Sequence, residues 1–187
     1  MNPPRNNIRR GIRLAAVCAF SVVLNAGCGY SLAGRGAFLP SYIKTIGVPN
    51  FTNRTTVFNL ESQLTQKVRS EFIGRGKYQI VPEATGVDAV LIGEILTSRV
   101  DTGSINPLTQ LALTQSVTVV AKVELRDVRQ NTVIWQNASL SLREDYPARS
   151  GTSVTDPNAF FAQDTNALDR LTADFAHTIV TSILEAF

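Results

Sequence analysis

The chain has 187 residues, of which 44% are hydrophobic and 18% charged, and its formal net charge is +3. This length and apolar content suffice for the core of one domain, which argues against a disordered chain, and two cysteines are too few for a disulfide scaffold. Four of the 18 bases are arginines at positions 5, 9, 10 and 13, which leaves 14 bases against 15 acids in residues 28–187, or about −1. The positive charge therefore belongs to the N-terminal segment and gives no reason to expect nucleic-acid binding.

The N-terminal segment has the pattern of an export signal. A basic stretch at residues 1–13 precedes a short apolar run at residues 14–23. A membrane-spanning helix needs about 20 apolar residues, so this run is too short to span and instead resembles the hydrophobic region of a secretory signal peptide. The alternative is a buried N-terminal helix, which the arginines without neighbouring acids disfavour. The pair Arg9-Arg10 suggests twin-arginine export, but its flanking residues favour the general route.

Cys28 is the predicted site of lipid attachment. The segment Leu24-Asn25-Ala26-Gly27-Cys28 resembles the bacterial lipoprotein box, with small residues directly before the cysteine, although Asn25 stands where an aliphatic residue is usual. The alternative, a plain signal peptide, would leave Cys28 as a free thiol in an oxidising compartment, because no later cysteine exists in the sequence to pair with it. We therefore predict a signal peptide at 1–27, a tether at 28–42 carrying acyl chains such as palmitate on Cys28, and one domain at 43–187.

Hydrophobic periodicity predicts seven elements after the tether. In chain order they are a strand at 44–49, a helix from 57 to Gly74, strands at 78–81, 88–100, 116–125 and 133–143, and a C-terminal helix that begins near Asp164 and includes residues up to Phe187. Residues 103–107 and 146–158 are predicted to be loops because they contain Gly, Pro and Ser. The order indicates an α+β domain: a single, mainly antiparallel sheet of four to five strands with two helices packed on one face.

The same periodicity predicts which side chains face the core. In the first helix they are Leu60, Leu64, Val68 and Phe72, and in the last helix Leu168, Leu171, Phe175, Ile179 and Ile183. Strand 88–100 should present one face made of Val90, Ile92, Glu94, Leu96, Ser98 and Val100. The next two strands should bury Val117, Val119, Ala121, Val123 and Leu125, and Ile134, Ala138, Leu140 and Leu142.

The residues give little support for catalysis. His177 is the only histidine in the sequence, and a lone helical histidine is more often a packing or surface residue than a base. No Gly-x-Ser-x-Gly elbow occurs, and the adjacent carboxylates Glu144 and Asp145 should point to opposite faces of a strand. Cys28, if lipidated, leaves no thiol for a nucleophile or a soft metal site. We predict no enzyme activity, no cofactor and no metal.

The sheet face opposite the core is predicted to carry scattered positive charge from Arg99, Lys122 and Arg143. The simplest interpretation is a solvated surface. The more specific interpretation is contact with an anionic lipid or a partner protein, because basic side chains, arginine above all, pair well with phosphates.

The start of the mature chain carries a series of motifs that resembles a known family. The series is Cys28-Gly29-Tyr30-x-Leu32, then Pro40, Lys44-x-Ile46-x-Val48-Pro49-x-Phe51-x-Asn53-x-Thr55, Leu60-Glu61-x-x-Leu64-Thr65-x-x-Val68 and Asp88-Ala89-x-Leu91-x-Gly93-Glu94-Ile95. Together these motifs resemble the LptE family of lipopolysaccharide-assembly lipoproteins, and the order of elements is similar from Cys28 to the last helix.

The resemblance implies a role that the composition of the chain does not indicate by itself. Members of the family are anchored in the outer membrane, plug the β-barrel LptD, help that barrel to assemble and so take part in delivering lipopolysaccharide to the outer leaflet. Some members bind lipopolysaccharide through basic residues, and here the candidates for glycolipid or partner contacts are Arg99, Lys122, Arg143 and Arg149. The runner-up is another class of periplasmic lipoprotein, similar to peptidoglycan-synthase activators or to curli-type secretion lipoproteins.

Overall fold

The computed structural model describes residues 39–148 and 154–186, all of which belong to one compact unit. The described residues form six strands and three helices, so the predicted α+β class is confirmed. The strands are β1 (Thr45–Gly47), β2 (Thr52–Asn53), β3 (Gln79–Val81), β4 (Ala89–Ile105), β5 (Ala112–Asp127) and β6 (Thr132–Pro147). The helices are α1 (Leu60–Gly74), α2 (Pro157–Gln163) and α3 (Thr165–Leu184).

The sheet is mixed, with strand order β3-β1-β4-β5-β6 and with β2 also paired to β4. The meander β4-β5-β6 is antiparallel, whereas β1 runs parallel to both β3 and β4, and β2 runs parallel to β4. The prediction of four to five strands in a mainly antiparallel sheet is thus wrong in detail. The parallel pairs join segments on either side of α1, and β2 is only two residues long, too short to show a period of its own.

The helices cover one face of the sheet, as predicted, and the core lies between the two layers. The predicted faces of α1 and α3 are confirmed: Leu60, Leu64, Val68, Phe72, Leu171, Phe175, Ile179 and Ile183 are fully buried, and Leu168 packs against them. The described residues contain three helices instead of the predicted two, because α2 forms before the predicted start of the last helix, with Pro157 at its first position and the Asp156 side chain accepting from the N–H of Asn158. Asp164 caps α3 by accepting hydrogen bonds from the N–H groups of Asn166 and Ala167. No helix within residues 39–148 and 154–186 combines the length and apolar character needed to cross a membrane.

The β4-β5 hairpin is much longer than the sequence predicts. β4 continues to Ile105 through most of the predicted loop at 103–107, and β5 begins at Ala112, before its predicted start. Residues 89–100 and 117–127, called the hairpin base here, contribute the buried side chains of the core. Residues 103–113, called the hairpin tip, extend beyond it, and most of their side chains are exposed.

A bulge in β4 divides the face that the sequence predicts as continuous. The register with β5 shifts between Ile95 and Thr97, so that Ile92 lies opposite Glu124 while Val100 lies opposite Val117. Because directly paired residues point to the same side of a sheet, Ile92 faces away from the core and Val100 faces into it. The prediction of one face from Val90 to Val100 is therefore wrong.

β6 contains a comparable bulge. Its register with β5 shifts between Ala121, which pairs with Leu140, and Val123, which pairs with Asn137. Leu140 and Leu142 pack against the core as predicted, whereas Ala138, in the bulge, is exposed. The bulge explains why strict alternation mispredicts this strand.

The segment that enters the domain is fastened to the hairpin base. Leu39 and Ile43 are buried, and the Tyr42 hydroxyl donates a hydrogen bond to Asp127. Asp88 accepts hydrogen bonds from the backbone N–H groups of Lys44 and Thr45, both at 3.0 Å. Residues 39–42, the end of the predicted tether, therefore pack onto the domain, while Cys28 lies outside the described residues.

Candidate binding surface

Among the described residues no helix covers the second face of the sheet, and β4, β5 and β6 bring two rows of polar side chains together on it. In one row Arg99 on β4 lies opposite Thr118 on β5, which lies opposite Arg143 on β6. In the neighbouring row Asp101 lies opposite Ser116, which lies opposite Asp145. The result is a band in which two arginines stand beside two aspartates, with a hydroxyl between the members of each pair.

The arginines are held by their acidic neighbours. An Nη2 atom of Arg99 lies 3.2 Å from Oδ1 of Asp101, two residues along the same strand. Arg143 donates from Nη2 to the Ser116 hydroxyl at 2.8 Å, and its Nε lies 3.9 Å from Oδ1 of Asp145. Ser116 in turn donates to Asp145. Exposed ion pairs of this kind contribute little to stability, so the guanidinium groups can exchange partners at low cost.

A cleft of about 350 Å³ lies along this band, lined by Thr97, Arg99, Asp101, Thr118, Val120 and Arg143. The side chains of Arg99 and Arg143 are 71% and 63% exposed, which leaves N–H donors of both groups accessible from solvent. A guanidinium group offers several N–H donors in a plane and binds phosphate oxygens in a bidentate manner. The cleft is therefore suited to a small anionic group.

The four predicted contact residues do not form one cluster. The structure brings together only Arg99 and Arg143. Lys122 is exposed on the same face but stands four residues along β5 from Thr118, a distance of about 13 Å, and pairs in register with Glu94. Arg149 lies outside the described residues.

Sequence analysis missed Asp101, Asp145 and Ser116, which make the band almost neutral. A signal for the two acids exists in the sequence, because Arg99-x-Asp101 and Arg143-x-Asp145 repeat the same spacing. Residues two apart on a strand share a face, so this spacing places each acid beside its base. The surface is a zwitterionic band with accessible arginines and not a positive patch.

The shifted titratable groups that the structure describes lie outside the cleft. A hydrogen bond from the Tyr42 hydroxyl lowers the pKa of Asp127, and backbone N–H groups, that of Lys44 first, lower the pKa of Asp88. Burial raises the pKa of Tyr146, on the core side of β6, to about 12. His177 is exposed on α3 with its Nδ1 3.1 Å from Oε1 of Glu71 on α1, as a surface residue would be.

Solved structures of bacterial proteins are similar to this chain at low sequence identity. The hypothetical protein CT253 from Chlamydia trachomatis is 14% identical, with a TM-score of 0.51 over 78% of this chain and 97% of that one. The rare lipoprotein B from Shewanella oneidensis is 16% identical, with a TM-score of 0.49 over 76% and 96% of the two chains. PelC from Paraburkholderia phytofirmans, solved as a dodecamer, is 18% identical, with a TM-score of 0.48 over 80% and 93%. At 14% identity, the similarity to CT253 supports the fold and says nothing about function.

A search of curated proteins finds no match for this sequence. A family model described as LptE, lipopolysaccharide-assembly, matches residues 43–183, which is nearly all of the folded domain and well over half of the chain. That match confirms the resemblance drawn from the motif series and points to an assembly role and not to catalysis. The chain belongs to the LptE family of lipopolysaccharide-assembly proteins.

Proposed function

We propose that this protein is an outer-membrane lipoprotein that plugs an LptD-type β-barrel, helps that barrel to assemble, and forms with it the translocon that inserts lipopolysaccharide into the outer leaflet. The observation that carries the proposal is the family match over residues 43–183. The role needs a stable domain with surfaces for a barrel and a glycolipid, and it needs no catalytic group.

Anchoring is proposed through Cys28 after removal of residues 1–27. The eleven residues that follow Cys28, up to Leu39, span at most about 40 Å when fully extended. Leu39 is buried in the core of the domain, so this length limits how far the domain can move from the membrane surface that holds the lipid.

The cleft between Arg99 and Arg143 is proposed as the contact for a phosphate of lipopolysaccharide. Both guanidinium groups are accessible, and each is already oriented by an acid on its own strand. A phosphate that bridges the two arginines would replace the exposed Asp101 and Asp145 partners with a charge-assisted, bidentate contact. Lys122 and Arg149 are proposed as weaker contacts with the glycolipid or the barrel.

The first experiment is affinity copurification of the C-terminally tagged protein from detergent-solubilised outer membranes. We expect a stoichiometric β-barrel partner of large mass. Recovery of the protein alone would contradict the barrel role, and recovery with a peptidoglycan synthase or secretion partner would support the runner-up class. In the same preparation, Cys28→Ala should move the protein from the membrane fraction to the soluble periplasmic fraction; retention in the membrane without a partner would contradict lipid anchoring.

A second experiment tests the cleft separately. The double variant Arg99→Gln with Arg143→Gln should weaken binding of purified lipopolysaccharide at least tenfold and leave the unfolding curve unchanged. Arg75→Gln is the matched control, because Arg75 is also an ion-paired arginine but lies at the end of α1, paired with Glu71. Equal losses in the control and the double variant would show that general charge, and not the cleft, governs binding.

A further inference from the structure

The hairpin tip exposes four large apolar side chains that no other element of the described structure covers. Leu108 is 92% exposed, and Ile105, Leu111 and Leu113 are each about half exposed. Single exposed apolar residues are ordinary, but four within nine residues of one protruding turn form a patch that requires explanation.

The same region has no charge. Residues 102–121 contain no Asp, Glu, Lys or Arg, although Asp101 and Lys122 stand directly at the two limits. Exposed hairpins usually carry charged side chains that keep them soluble and prevent association. Their absence at the most exposed part of the domain suggests surroundings that disfavour charge.

The turn also satisfies its own backbone N–H groups. The N–H of Asn106 donates to the carbonyl of Leu111 at 2.8 Å, and the N–H of Gln110 donates to the carbonyl of Asn106 at 2.8 Å. The Asn106 side-chain oxygen accepts from the N–H groups of Leu108 and Thr109 at 2.9 Å and 3.2 Å. Pro107 has no N–H, and its carbonyl accepts from the Gln110 amide at 2.9 Å. Each N–H from residue 106 to residue 110 therefore has a partner within the turn.

Backbone groups that are satisfied internally lose little when they leave water, whereas unpaired ones cost several kcal/mol each in hydrocarbon. We propose that the hairpin tip inserts into the acyl region of a phospholipid bilayer. The shape favours this occupant, because a convex tip fits a fluid phase without needing a complementary pocket. Burial of apolar side chains at the interface supplies the driving force, and no charge has to be desolvated.

The test places a tryptophan at the tip of the otherwise unchanged mature protein. Leu108→Trp is mixed with vesicles of phosphatidylcholine whose acyl chains carry bromine, which quenches tryptophan only on contact. Ser70→Trp, on the exposed surface of α1, is the matched control, and Trp135 contributes the same background to every sample. We expect the emission of the tip tryptophan to fall at least twofold and to shift to shorter wavelength, with no change in the control.

Two further substitutions in the Leu108→Trp protein sharpen the result. Leu111→Asp places a charge in the tip and should abolish quenching, while Asn106→Ala leaves two amides without their acceptor and should reduce quenching by at least half. Both positions are in the tip, so the fold of the base is retained and its unfolding curve serves as the check.

Absence of quenching by brominated chains overturns the proposal. A wavelength shift that occurs only after lipopolysaccharide is added also overturns it, because the tip would then contact glycolipid acyl chains. A shift that occurs only after a barrel protein is added overturns it as well, because the tip would then contact the wall of the barrel. The vesicle measurement made before these additions contains neither glycolipid nor barrel, so its failure and the failure of the proposed function are distinguishable.

Discussion

The two ends of the β4-β5 hairpin are made of the same strands but are stabilised in different ways. At the base, Leu91 and Leu125 pair across the strands and are fully buried beneath the helices. At the tip, Leu108 is almost fully exposed, and the turn is held by the hydrogen bonds of Asn106 and Gln110. The base depends on tertiary packing and the tip on local polar contacts, so equivalent changes at the two ends should have unequal effects.

The largest contrast is expected for removal of a leucine side chain. Leu125→Ala leaves a cavity in the core and should lower the free energy of unfolding by about 2–5 kcal/mol. Leu108→Ala should change it by less than about 0.5 kcal/mol because the side chain makes no core contact. Urea unfolding of both variants, followed by circular dichroism, measures the difference. Equal losses would mean that the tip packs against a part of the molecule in solution.

Two glycines of β4 provide a smaller contrast. A Cβ at Gly93 would lie 2.4 Å from ring carbons of the buried Phe51, so Gly93→Ala should cost about 1–3 kcal/mol. A Cβ at Gly103 would lie 2.5 Å from the Thr114 hydroxyl and 2.9 Å from the Ser116 hydroxyl, and these short side chains can move more easily than a buried ring, so Gly103→Ala should cost less, about 1 kcal/mol. Thermal melts of the two variants compare the sites, and a more severe effect at Gly103 would contradict the loose packing of the tip.

Acid should destabilise the base specifically. The pKa values of Asp127 and Asp88 are lowered below the ordinary 3.8, the first mainly by the Tyr42 hydroxyl and the second mainly by the N–H of Lys44. A lowered native pKa gives stability that is present above the unfolded value and is lost as pH falls through the native one. The urea midpoint should therefore decline from about pH 4 downward, and Tyr42→Phe should reduce that decline. An identical acid profile in the variant would remove Tyr42 from this role.

Asn106→Ala should have a small effect on global stability and a larger effect on the tip itself. The substitution removes the acceptor of the Leu108 and Thr109 amides, which are exposed, so the free energy of global unfolding should change by less than about 1 kcal/mol. Hydrogen exchange of those two amides should nevertheless accelerate at least tenfold, while amides of the base keep their protection. Slower or unchanged exchange at the tip would show that the turn is held by other contacts.

Local patterns in the sequence predicted the two long helices, α1 and α3, but not the short α2. Leu60, Leu64, Val68 and Phe72 lie on one face because a helix repeats every 3.6 residues regardless of its neighbours, and the structure buries all four. The parallel pairing of β1 with β3 and β4 could not be predicted in this way, because it depends on contacts between segments far apart in the chain.

The candidate cleft could not be predicted from local patterns either, because it depends on the register between strands. Arg99 faces the open side only because a bulge after Ile95 reverses the alternation of β4, and Arg143 shares that side because of the bulge near Ala138. A strand without its bulge would direct Arg99 into the core. Residue types and spacing identified the arginines, but only the register places them together across Thr118.

The position of β1 has a consequence for folding kinetics. The meander β4-β5-β6 is built from pairs that are neighbours in sequence, so it can form early, whereas β1 must pair with both β3 and β4 across the whole of α1. Such long-range pairing is the slow part of folding. Although β1 precedes the other described strands in the sequence, it and its neighbour β3 complete the sheet. Until it docks, the start of β4 presents an unpaired edge to other chains.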